Sequence, residues 1–392
     1  MILSKPKLLI LANKSGCAYW RLWLPSQYMQ KNGMAEVRFL DLRETTYRDL
    51  GADLKWCDMV ISTGLMGTQE LAMVRQYQSM GLKVVIDYDD LYFNVSPFNT
   101  AYRTIGTEEV QVRDPNTGDV QYLWKDGKNG FDMKANQIKF HAYKALLQEA
   151  DLITTTTLYL KQAMAEYSGR EDNIRVVPNA IDFTQWKPME GIREKLPGKF
   201  RFGWAVSASH GEDWLFIRPA IVDFLRKHKD AIFVIIGDTY VDMRKAHPEI
   251  AEQIEWYPFS DLWEGHYPMR MAMLGLDAAI APLADLEFNR CKSPLKWEEY
   301  TAFGWPTIAQ NMEPYSSHIV GGETGLLASS IDEWANALEA MYSNASLRSK
   351  LVFNAKFAVK ELFDLEKIAR EWAETYSNLI TRKQNEFIEH IK

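Results

Sequence analysis

Short apolar runs, each followed by a longer stretch with helically spaced apolar residues, set the rhythm of this chain. The runs at 7–11, 37–40, 59–62, 83–87 and 151–157 predict strands, and 20–30, 69–80, 136–149 and 158–168 predict helices between them. Further on, 200–206, 232–236, 278–283 and 305–309 predict strands. Helices are expected from 213 to about 228, from 293 to 304, and at 331–341, 346–363 and 365–384. Strands that alternate with helices in this way signal doubly wound parallel sheets. Residues 100–137 break the rhythm. There, Val110 to Arg113 and Asp119 to Trp124 flank the turn residues Asp114 to Gly118, which reads as a β-hairpin. A second break, 187–199, holds two prolines and two glycines and reads as a linker. The expected division is a first domain over 1–185 with a hairpin insertion at about 100–137, a linker over 186–199, a second domain over 200–365, and a last helix from 366 to 392.

Composition fits this division. A chain of 392 residues suits two domains of about 150–200 residues each. Apolar residues at 47% and charged residues at 25% are ordinary for a soluble globular protein. A net charge of −7 gives no global basic footprint for nucleic acid, although a local basic groove stays open. Cys17, Cys57 and Cys291 form no CxxC pair and no disulfide framework, so a reducing, cytoplasmic setting is expected. There is no apolar run long enough for a membrane span, and 8–12 is too short for a signal segment. Thirteen tryptophans fit a packed core as well as a carbohydrate site.

Candidate chemistry falls in the loops after the predicted strands, where open α/β sheets bind ligands. The densest stretch is 276–310. Ser293 reads as a helix N-cap with Pro294 at the first helical position, so free backbone amides there favour an anion. Lys292 and Lys296 add positive charge. Helical spacing puts Glu299 on the buried face with Leu295, Ala302 and Phe303, whereas Glu298 points elsewhere, toward solvent. A buried carboxylate needs partners. These are either sugar hydroxyls or, more plainly, Lys292 or Lys296.

In the predicted first domain, Ser15 and Gly16 are small enough to let a phosphate approach the backbone. The run Asp87-Tyr88-Asp89-Asp90 ends the fourth strand. Its D-x-D reads either as a metal site or as carboxylates that orient an acceptor, and the structural alternative is pairing with Arg21 or Arg103. In the predicted second domain, Ser207 and His210 precede a helix for which Asp213 is a candidate cap.

Phe288, Asn289, Lys292, Ser293, Lys296, Glu299, Tyr300, Gly304 and Pro306 match, residue by residue, the donor-site pattern of GT-B glycosyltransferases of the group-1, family-4 type. A second motif, from Asp151-Leu152-Ile153-Thr154-Thr155 to Val177-Pro178-Asn179-Ala180-Ile181-Asp182, is similar to another segment of that family. One departure is that Cys291 stands where many members carry a sugar-binding Glu. The resemblance implies two Rossmann-like domains facing across a cleft, with the final helix crossing back to the first. It implies a nucleotide-diphosphate sugar as donor, UDP foremost, with no further cofactor and no metal, and retention of configuration. Ser207, His210, Lys292, Ser293 and Lys296 would hold the donor diphosphate, Glu299 its ribose, and residues 256–262 its base. Tyr19 and Arg21, with Ser15, Gly16 and Asp89, would lie on the acceptor side. His210, Lys292, Asp89 and Asp90 are the catalytic candidates.

The resemblance extends to a phage-encoded subgroup, which makes a hydroxylated DNA base one candidate acceptor. Arg103, Arg113, Lys125, Lys128, Lys134 and Lys139 form a basic set around the insertion. The alternatives are a nucleotide-sugar epimerase of the same architecture and a binding protein without turnover.

Overall fold

The computed structural model describes residues 5–13, 16–42, 50–114, 118–192, 198–207, 210–237, 243–258 and 266–391, without the side chains of 266 and 382–391. The first sheet contains β1 (Lys7–Ala12), β2 (Glu36–Asp41), β3 (Met59–Thr63) and β4 (Lys83–Tyr88). After the hairpin β5 (Val110–Arg113) and β6 (Val120–Trp124), it is completed by β7 (Leu152–Thr155) and β8 (Ile174–Val176). Its order is β2-β1-β3-β4-β7-β8, and every pairing is parallel. The second sheet contains β9 (Phe200–Val206), β10 (Ala231–Gly237), β11 (Ile254–Tyr257), β12 (Ala278–Ala281), β13 (Thr307–Gln310) and β14 (Leu326–Ala328). Its order is β11-β10-β9-β12-β13-β14, again all parallel. The chain reverses its direction of travel between β1 and β3, and between β9 and β12. Those switch points are where crevices form at the carboxyl ends of strands.

The apolar pattern predicted neither β14, a three-residue strand at one edge of the second sheet, nor β11 at the other. β11 is a four-residue edge strand whose Trp256 and Tyr257 are exposed, so it carries no apolar run. By contrast, every residue of β9 and β10 is buried, and these were the most legible strands.

The two sheets share one aromatic cluster. Trp186, fully buried, has ring centroids 5.6 Å from Trp20 and 5.4 Å from Phe303, with Tyr19 at 6.3 Å. The final helix, Leu365–Ile391, packs its Ile368, Ala369, Trp372 and Tyr376 into the same cluster as Leu8, Ile10 and Met59 of the first sheet. The hairpin stands on a smaller cluster in which Trp124, Tyr102 and Phe131 stack with centroids 5.8–6.0 Å apart. Phe288, which follows β12 of the second sheet, is buried in that same cluster.

Candidate functional site

The carboxyl ends of β1, β4, β9 and β12 converge on one group of charged side chains. From the second sheet come His210, Asp213, Lys292, Lys296 and Glu299, and from the first come Cys17, Asp89 and Asp90. Lys292 is the joint between them. Its Nζ lies 3.6 Å from Asp90 Oδ1 and 4.4 Å from the centre of the Phe288 ring. Burial works against its charge, but Asp90, Asp213 and Asp89 outweigh that and raise its pKa. Burial and then Lys292 lower the pKa of Lys296.

Asp213 organises the β9 side. Its Oδ2 lies 2.6 Å from His210 Nδ1, while Oδ1 accepts from the Ala284 amide at 2.6 Å and from Asn289 Nδ2 at 2.9 Å. It is therefore not a helix cap but a buried strut between the loops after β9 and β12. With Nδ1–H donating to Asp213, His210 presents the Nε2 lone pair to Lys296 Nζ, 3.4 Å away. Burial and the two lysines depress the His210 pKa to about 4. Those same causes favour the neutral imidazole here, so the positive charge beside it is that of Lys292 and Lys296. Ser207 directly follows β9.

Glu299 is 4% exposed, and its Oε1 has no hydrogen-bond partner. Burial raises its pKa to about 8, opposed by Lys296. Among the described residues it forms no ion pair, so simple pairing with Lys292 or Lys296 does not occur. Glu298 overturns the expectation of a solvated residue, because it is fully buried and neither carboxyl oxygen has a partner. The cause is the setting of the helix Leu295–Ala302, which packs on the helix Ala345–Phe363 and buries every residue from Trp297 to Ala302. Burial and then the neighbouring Glu299 push the Glu298 carboxyl well above its ordinary range.

The helix start also differs from its prediction. Pro294 takes the N-cap position and Leu295 begins the helix. The Ser293 hydroxyl caps nothing and instead accepts from Asn179 Nδ2 at 2.9 Å, across to the first domain. Cys291 packs into the cluster that holds Tyr143 and Leu147 of the first domain, where burial raises its thiol to about 12.

On the first-sheet side, Asp89 and Asp90 follow β4, and Asp90 reaches Lys292. Burial, then Asp90, raises the Asp89 pKa to about 6, and the Cys17 thiol opposes this through a hydrogen bond. Tyr92, which the sequence did not single out, donates to Asp89 Oδ1 at 3.3 Å. Gly64 makes room for it, since a Cβ there would sit 3.2 Å from the Tyr92 hydroxyl. Asp87 does not join this group. Its carboxylate takes both forks of Arg21, Nε at 2.8 Å and Nη2 at 2.5 Å, and the Thr154 hydroxyl at 2.7 Å. The D-x-D reading as a metal site fails for that reason.

Arg21 and Tyr19 are corrected with it. Arg21 is fully buried, donates also to the Val177 carbonyl, and faces away from the cleft. The wide π-type turn Tyr19–Trp23 directs it inward. Tyr19 is 3% exposed among the aromatic rings between the domains, where burial raises its pKa to about 12. Gly16 is exposed with φ +58° and has open space around it, so its left-handed backbone calls for glycine. Ser15, together with 259–262 of the segment expected near the base, lies outside the described residues. Trp256 is 45% exposed and donates to the Gly237 carbonyl.

The basic set around the insertion is balanced. Its six cations are matched by six carboxylates within 103–139, namely Glu108, Glu109, Asp114, Asp119, Asp126 and Asp132, so the segment carries no net charge.

Comparison with known proteins gives one direction. No family model matches the chain. A candidate glycosyltransferase, YtcC of Bacillus subtilis (strain 168), is 24% identical over 288 residues. That match covers 64% of this chain and 66% of the relative, just under two thirds of its length. Among solved structures, sucrose-phosphate synthase of Thermosynechococcus elongatus superposes with a TM-score of 0.65 at 13% identity, covering 96% of this chain and 100% of that one. HepE of Anabaena, solved with UDP and glucose, gives 0.62 at 13% identity over 94% and 99%. WaaG, a glycosyltransferase of lipopolysaccharide biosynthesis, gives 0.60 at 12% over 94% and 99%. In fold, the chain is a GT-B protein, with two all-parallel α/β domains set as in these structures.

Proposed function

We propose that this chain transfers a sugar from a nucleotide-diphosphate sugar, UDP being the nucleotide, to an acceptor hydroxyl, with retention of configuration and without a metal ion. The observation that carries the reading is Lys292. It sits between the carboxyl ends of the two sheets, with Lys296 and Glu299 on its own side and Asp90 opposite it. Two ammonium groups in a low-dielectric cleft supply the charge that stabilises a leaving diphosphate. HepE, a neighbour in fold, holds UDP and UDP-glucose in its solved structures.

In the proposed step the bond from the sugar C1 to the diphosphate oxygen breaks, and its electron pair leaves with the diphosphate. The acceptor oxygen bonds C1 from the same face, and its proton passes to a departing phosphate oxygen. Lys292 and Lys296 take the developing negative charge. Glu299 accepts the ribose hydroxyls, which fill the lone pairs that lack partners. Asp89, steadied by Tyr92 and Cys17, orients the acceptor together with Asp90. His210 and Asp213 fix the position of Lys296. Asp89 and Asp90 across from the donor group favour transfer over epimerisation, which needs no second substrate. The balanced charge of the insertion gives a DNA acceptor no electrostatic support.

A thermal-shift screen with UDP-, GDP-, ADP- and TDP-sugars tests the donor, because a ligand that binds only the native state raises the melting temperature. UDP-sugars should raise it. No shift with any of the four classes refutes the reading. Nucleotide release that requires an acceptor, with the product anomer read by NMR, separates a transferase from an epimerase.

A further inference from the structure

The helix Ala345–Phe363 has two faces. Leu351, Ala355, Val359 and Phe363 point inward and are buried. The outward face carries Phe353 and Phe357, 63% and 65% exposed, one turn apart, with ring centroids 5.0 Å from each other. Helical spacing places Lys350, Lys356 and Lys360 on the same side. Lys350 is held by Glu323 at 2.6 Å, but neither Lys356 nor Lys360 has a carboxylate partner among the described residues. The result is a stripe in which aromatic and cationic side chains alternate, on a chain whose net charge is −7. Lys350 and Asn354 also fasten the loop 320–324 to this helix, and that loop adds Val320, 60% exposed.

We propose that this stripe is a docking surface for an anionic lipid bilayer. Exposed phenylalanine rings gain by entering the region between headgroups and acyl chains, and lysines reach from there to anionic headgroups. The lysines select among possible occupants. A symmetric pairing of two copies through this face would set Lys356 and Lys360 against their own equivalents, a like-charge contact. Nucleic acid would engage the lysines but leave the two rings in water. An anionic bilayer satisfies both. Among the described residues no helix is long and apolar enough to cross a membrane, so the contact is peripheral.

Vesicle flotation with the full chain tests this, using phosphatidylcholine vesicles with and without phosphatidylglycerol. The wild-type chain should float only with the anionic vesicles and be released by salt. Phe353→Ser/Phe357→Ser and Lys356→Glu/Lys360→Glu should each lower the partition coefficient by about tenfold or more. Leu158→Ser, which removes an equally exposed apolar residue from the first domain, should leave it unchanged. Unaltered thermal shifts with UDP would show that the variants are folded. Failure of the wild type to float, or undiminished flotation of both double variants, overturns the proposal. So does light scattering that finds a dimer which Phe353→Ser/Phe357→Ser dissociates, or duplex DNA binding that depends on the lysines alone.

Discussion

Replacing Glu299 by Gln should make the protein more stable while it loses its donor. The carboxyl is 4% exposed and has its pKa raised from 4.5 to about 8. In the unfolded chain it ionises near 4.5, whereas in the folded chain it keeps its proton until about 8. Between those values the unfolded state binds fewer protons, so stability falls as pH rises. The penalty is absent below pH 4.5. At pH 7 it is on the order of 3 kcal/mol, at about 1.4 kcal/mol per unit, and it stops growing above pH 8 at about 5 kcal/mol. Glutamine cannot ionise and escapes this cost. Thermal melts of both proteins from pH 4 to 9 isolate the effect. The advantage of the variant should be flat at the acid end, widen from pH 4.5 to 8, and then level. Any packing cost of the buried amide shifts the whole curve without changing its slope. The UDP-sugar thermal shift should disappear in the same variant. A melting difference that does not change with pH would refute the account of Glu299 as a carboxyl held neutral by burial.

Other substitutions separate charge from scaffold. Lys292→Ala and Lys296→Ala should each weaken UDP binding by about tenfold or more in calorimetry, since each removes a cation from a dry cleft. Asp87→Ala should instead cost about 3–5 kcal/mol in urea unfolding by stranding Arg21, while leaving the UDP affinity of the folded protein unchanged. His210→Gln should flatten the acid limb of stability. The depressed His210 pKa of about 4 makes the wild type lose stability as pH falls from 6.5 through that value, and the variant has no such group.

The fold was legible because its strands are apolar runs and its helices have one apolar face. β11 escaped because a short edge strand with exposed Trp256 and Tyr257 has neither mark. Of the site, Lys292, Lys296 and Glu299 could be placed from helical spacing and motif. Glu298 could not, because spacing assumes that a helix has a wet side, and the helix Leu295–Ala302 has almost none. Arg21 and Asp87 are 66 residues apart, and no local rule reveals that they consume each other. Asp213 looked like a cap because caps are local. Its partners Ala284 and Asn289 come from the loop after β12. Cys291 looked like a hole in the sugar site, yet its thiol fills a place in the core of the first domain.

Residues 288–293 touch the first domain four times, the first of these through Cys291 in its core. Phe288 is buried under the hairpin, Lys292 faces Asp90, and Ser293 accepts from Asn179. One short segment thus belongs to the proposed donor site and is also stitched to the first domain. The two halves are not interchangeable modules. A chimaera that grafts a foreign first domain onto this second domain, to reach a new acceptor, would keep Lys296, Glu299 and the other proposed donor residues and still leave Lys292 unanchored. To work, such a graft would have to bring its own equivalents of Asp90, Asn179 and the aromatic cradle around Phe288.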